Sequence, residues 1–167
     1  MTTLLDEALE AWTDARNGVI AELENIPANQ FDDAAGEGAR SVGELALHIA
    51  EVGLMMVGEL TRDDGDFRRA AYDKLIAEYR GPIDEAKGKD EIIAAMKRTL
   101  EDGVRAFREA GELHMFGKIR RFDGQYGSRF AWMQHGVGHE EYHRGQIAMS
   151  ARLMGIKPAL TKLIEGG

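Results

Sequence analysis

Residues 130–147, FAWMQHGVGHEEYHRGQI, decide how the rest of this chain must be arranged. In a helix, residues four apart lie one above the other on the same face, so His139 and His143 present imidazoles from adjacent turns. Two imidazoles so placed can share one metal ion. His135 continues the stripe one turn earlier, but the three cannot all bind the same ion. His135 and His143 are about 12 Å apart along the axis, whereas metal–imidazole bonds are about 2.0–2.1 Å. A neighbouring pair must serve, with at least one further donor from elsewhere. The best candidate is His48, which interrupts the apolar run Leu45-Ala46-Leu47-His48-Ile49-Ala50; His114, in a glycine-flanked polar stretch, is the weaker one. The plain alternative is a set of neutral histidines hydrogen-bonded into a polar core. A lone histidine would favour that alternative, whereas an i, i+4 pair flanked by carboxylates favours metal.

The composition narrows the chemistry. A length of 167 residues suits one domain, residues 1–167, with a real core. Cysteine is absent, which excludes disulfides, thiolate zinc sites and a cysteine nucleophile, so any metal is held by nitrogen and oxygen. A formal charge of −8 argues against a nucleic-acid partner, because phosphate is bound by clustered Lys and Arg. Lys118, Arg120 and Arg121 form the one basic cluster, and a solvated turn accounts for it. No uncharged run reaches the ~20 residues that span a bilayer, and the N-terminus lacks the pattern of a signal peptide. A soluble cytoplasmic protein is expected.

Four long amphipathic segments follow in order. Leu5, Ala8, Trp12, Ala15, Val19, Leu23 and Ile26 recur at helical spacing, with Thr3 and Asp6 as an N-terminal cap and Pro27 as the stop. Ala28 to Arg40 reads as loop. Ser41-Val42-Gly43-Glu44 is a capping box that opens a second helix, with Leu45, His48, Val52, Met55 and Glu59 on one face and an end near Thr61. Arg69 to Arg80 reads as a short helix within a crossover connection. The third long helix starts near Asp90 and ends before Gly111, Glu112 to Ser128 reads as loop with one extended piece at Lys118–Phe122, and the fourth long helix runs from about Ser128 to Met154. The expected fold is all-α: a four-helix bundle with a short extra helix in the connection between the second and third long helices. The apolar stripes of the first and third long helices, with Trp12 and Phe107, offer surface for a homodimer.

Ser41-x-x-Glu44-x-x-x-His48, His139-x-x-x-His143-Arg144-Gly145-Gln146 and Asn25-Ile26-Pro27-Ala28-Asn29-Gln30 together resemble the DinB/YfiT-like family of metalloenzymes, over nearly the whole length. The resemblance implies a four-helix bundle with one divalent ion (zinc, nickel or iron) held by His48, His139 and His143. It also implies a homodimer and, as in some relatives, a low-molecular-weight thiol such as bacillithiol or mycothiol as cosubstrate. Three neutral imidazoles leave an open position where water or a thiol becomes a nucleophile at neutral pH. The leading expectation is a thiol-dependent S-transferase acting on a small molecule, and the alternative is a metal-dependent hydrolase.

HEEYH also satisfies the H-E-x-x-H pattern of zinc peptidases, with Glu140 as general base, but a glycine three residues after the second histidine is missing and Gln146 stands there. A di-iron carboxylate site needs two Glu-x-x-His motifs and the chain has one. A non-catalytic stress-response module, with the metal anchoring helices, is the third class. Glu51 and Gln146, each three residues after a candidate ligand, could orient water or substrate, and Arg144 could hold an anionic substrate.

Overall fold

The computed structural model describes residues 2–34 and 36–166. The first long helix, α1, is Leu4–Asn25, and Thr3 and Asp6 form a reciprocal capping box at its start. Helix α2 is Val42–Thr61, opened by the matching box of Ser41 and Glu44. A short α3, Tyr72–Tyr79, precedes α4, Gly88–Ala110. The fourth long helix, α6, is Arg129–Leu153. Between α4 and α6 the chain is more ordered than a loop: α5, Glu112–Phe116, leads into an antiparallel hairpin of β1, Lys118–Arg120, and β2, Tyr126–Ser128. A last short helix, α7, is Ala159–Ile164.

The long helices form a four-helix bundle in which α1 packs against α6 and α4, and α2 packs against α4 and α6. Consecutive α1 and α2 therefore stand on a diagonal, and the 26–41 connection crosses the bundle end. Among the described residues no helix is long and apolar enough to cross a membrane.

The core has two apolar clusters. One gathers Val19, Leu23, Ile26, Ile49, Met96 and Ile147; the other gathers Trp12, Met55, Leu60, Phe67, Phe107 and Met133. Each fully buried side chain of this kind stabilises by about 1.5–3 kcal/mol. Between the clusters three of the long helices bury a polar group: Arg16 on α1, Thr99 on α4 and Glu140 on α6. The histidines of α2 and α6 lie at the same level of the sequence pattern. Trp12 and Phe107, expected at an interface between copies, are instead buried against each other inside the protomer, their rings edge to face at 5.8 Å. The face proposed from them for a dimer does not exist, because the same stripes are used by the bundle itself.

Arg129 fixes where α6 begins. Its buried guanidinium donates to the carbonyls of Leu60, Arg62 and Lys118, so the end of α2, the hairpin and the start of α6 are tied at one point. The carbonyls at the end of a helix outnumber the amides that can reach them, and a cation is their natural complement.

Candidate metal centre

Helices α2 and α6 pack side by side, which brings His48 to the pair that the four-residue spacing had already aligned. His139 Nε2 lies 3.2 Å from His48 Nε2 and 3.1 Å from His143 Nε2. One nitrogen from each ring falls within 4.8 Å of the others, a group that could hold a metal ion. His143 is buried, and His48 and His139 are partly buried.

The outer nitrogens state which way the rings are charged. His48 Nδ1 meets Glu51 Oε1 at 3.0 Å, and His143 Nδ1 meets Gln146 Oε1 at 2.7 Å. Both partner oxygens are acceptors, so each Nδ1 carries a proton, and each ring in its neutral form turns a lone pair inward from Nε2. Three inward nitrogens then compete for at most one proton, on His139. Hydrogen bonds alone leave lone pairs facing each other, and a cation at the centre relieves this. The donor set therefore fits a divalent ion, with three imidazoles and no thiolate. His139 Nδ1 is buried and, among the described residues, has no hydrogen-bond partner.

Electrostatics point the same way. Burial, followed by the neighbouring His143 and His48, pushes the His139 imidazole down to about 4. Burial also lowers His143, against the hydrogen bond to Gln146 that raises it. Rings that resist protonation remain available as ligands under mildly acidic conditions.

The other sequence candidates go elsewhere. Glu51 and Gln146 each hold one of the rings, and Gln146 also lines the cleft beside His143. Glu140 is turned into the core, where Trp12 Nε1 and Arg16 donate to it: Trp12 Nε1 to Oε1 at 2.7 Å, Arg16 Nε to Oε2 at 2.8 Å. Both oxygens are taken, so Glu140 cannot serve as general base at the histidines, and the peptidase reading loses its catalyst. One residue along a helix turns a side chain by about 100°, which is why His139 and its neighbour face different partners. Arg144 lies across Gly18 of α1 and pairs with Glu141 at 3.2 Å, lining a separate cleft with Glu22. It does not line the cleft beside the histidines. His135 packs at a tilt against Trp132 with ring centres 4.4 Å apart, and His114 bonds the Leu60 carbonyl at 2.8 Å; neither joins the cluster.

A cleft of about 430 Å³ opens beside His143, lined by Arg40, Leu45, Tyr142, Gln146, Met149 and Ser150 among others. Its cation is Arg40, at the end of the stretch that reads as loop. The positive charge of Arg40 reaches the cluster, where it adds to the lowering of His139 and His143. Its only sequence signal is adjacency to the capping-box serine, which fixes the residue before a helix start in space but says nothing of what lies opposite.

A family model described as the DinB family matches residues 1–165. No curated protein matches the chain. Among solved structures, YfiT from Bacillus subtilis, described as a probable metal-dependent hydrolase with an unusual four-helix bundle topology, has a TM-score of 0.70 at 14% identity, covering 92% of this chain and 89% of its own. A DinB-like protein of Bacillus subtilis, YjoA, has a TM-score of 0.66 at 18% identity, covering 89% of this chain and 92% of its own. A mycothiol-dependent maleylpyruvate isomerase has a TM-score of 0.66 at 14% identity, over 87% of this chain but 61% of that one. At these identities the likeness is one of fold.

Proposed function

We propose that this chain, which belongs to the DinB family, is a divalent-metal-dependent enzyme that joins a low-molecular-weight thiol to a small electrophilic molecule. The observation that carries the reading is the convergence of three imidazole nitrogens, two of their rings fixed from behind, at the edge of a cleft of ligand size. A bound divalent ion would lower the pKa of a thiol from about 8.5 and supply thiolate at neutral pH. The protein's own groups do the rest. Glu51 and Gln146 hold the Nδ1 protons of His48 and His143, so in the neutral rings Nε2 is the atom that carries the lone pair. Arg40 meets an anionic group of the thiol, and Ser150 and Tyr142 offer hydroxyls to its polar body. In the transfer the sulfur lone pair forms the new carbon–sulfur bond while the leaving group departs with its electron pair, and the thiol proton goes to solvent. With no cysteine in the chain, the sulfur must arrive with the cosubstrate.

The test incubates metal-loaded protein with monochlorobimane and a panel of biological thiols, with His48→Ala and His143→Ala as controls. Conjugation well above both controls is expected. Conjugation at the control rate, with metal-dependent ester or amide hydrolysis, replaces the transferase by the hydrolase, for which the same open position would activate water.

The exposed apolar side chains Tyr142, Met149 and Leu153 form one stripe on α6, and two of them line the mouth of the cleft. A homodimer through this stripe would cover that mouth. Sedimentation at micromolar concentration should give twice the 18.5 kDa protomer mass; a protomer-sized species alone contradicts it.

A further inference from the structure

The histidines have a second cavity on their other side. It holds about 190 Å³ and is walled by Val52, Met55, Phe67, Phe122, Trp132 and His139. We propose that this pocket seats an aromatic ring of the molecule that receives the thiol, an inference that rests on the transfer reading above.

Four observations support it. The pocket and the polar cleft are distributed along one helix: His139 belongs to the apolar side and His143, one turn on, to the polar side. A molecule reaching the cluster from either pocket meets one reaching it from the other. The size is that of one ring, because a cavity of about 150 Å³ suffices for benzene. The walls are aromatic rings already in tilted contact as a chain: the ring centre of Phe67 lies 4.9 Å from that of Phe122 and 5.4 Å from that of Trp132, and that of Tyr72 lies 5.8 Å from that of Phe122. Such surfaces favour a flat apolar guest in edge or offset contact. Finally, the hairpin has no other part in the site, and its turn carries Phe122 to the pocket while Arg129 fixes its base to α2. Phe122 and Tyr72 are partly exposed and stand at the mouth; Phe67 is fully buried behind them.

The probe is para-fluorobenzyl alcohol, followed by fluorine NMR on the zinc-loaded, full-length protein, with fluoroethanol as the non-aromatic control. Saturable shifting and broadening of the aromatic probe alone is expected. Val52→Phe, which fills the pocket, should weaken that binding by about tenfold or more, and Phe122→Ala, at a half-exposed position, should weaken it several-fold. Zinc stoichiometry should be unchanged in both. Absence of saturable binding, equal binding of fluoroethanol, or binding unchanged in both variants overturns the proposal. Failure of the transfer reading looks different: probe binding persists but no thiol is conjugated. Failure of this inference alone leaves conjugation running at a rate indifferent to Val52→Phe.

Discussion

Two polar groups of residues are buried side by side on α6, and they differ in what is left over. Around Glu140 every strong donor and acceptor has a partner: Trp12 and Arg16 take the carboxylate, and the far side of Arg16 reaches the Met96 carbonyl at 3.3 Å and Thr99 at 3.4 Å. Gly53 of α2 leaves the space for that guanidinium, since a Cβ there would stand 2.6 Å from Arg16 Nη2. Around His139, one residue earlier, the neutral rings turn more lone pairs than protons inward, and Nδ1 has no partner among the described residues. A closed network holds helices together, and an open one awaits a guest. Satisfaction of hydrogen bonds separates the structural carboxylate from the candidate ligands.

The largest effect should come from opening the closed side. Arg16→Ala strands a carboxylate whose side chain is 2% exposed, and breaking such a pair costs about 3–5 kcal/mol. Urea unfolding should register this, while the molecules that remain folded still take up one ion each. Loss of metal binding in the folded fraction would erase the distinction between the two sides.

Much of this was legible in the sequence, and the reason lies in the range of each interaction. The capping boxes at Thr3 and Ser41 and the pair His139 and His143 depend on residues three or four apart, so spacing alone reveals them. The partner of Glu140 is 124 residues away on α1, and Glu140 in H-E-x-x-H reads as a base until Arg16 is seen against it. Helices α5 and α7 were missed for a similar cause. The buried Glu22 of α1 accepts from the amides of Ala159 and Leu160 at the start of α7, and Glu112 of α5 accepts from the Leu5 amide. Short helices held by distant chain leave little periodicity of their own.

A middle-sized effect should follow from disturbing the groups behind the ligands. Glu51→Ala and Gln146→Ala should each weaken metal affinity by about 10–100-fold with little change in stability, as removal of such orienting partners does elsewhere. Competition with a chromophoric chelator measures it. Unaltered affinity in both would mean that the rings are held by packing alone.

The smallest effect is one of pH on the metal-free protein. His139 titrates at about 4 when folded, below its ordinary 6.5, so between those values the unfolded chain binds the proton more readily. Its contribution to stability is complete above pH 6.5, falls as the pH drops, and is gone near 4. Discounted for the ring's partial exposure, this is about 1 kcal/mol. His143 shifts in the same direction. His139→Gln should flatten this part of the stability profile, whereas an unchanged slope would place the titration elsewhere.

In the proposed site three of the five histidines, His48, His139 and His143, hold one metal ion and the other two do not. Metal-free protein titrated with zinc or cobalt should bind one ion per chain. Alanine at His48, His139 or His143 should abolish stoichiometric uptake, and alanine at His135 or His114 should leave it whole. Full stoichiometry retained in the His139→Ala or His143→Ala protein, or lost in the His135→Ala protein, would contradict the assignment.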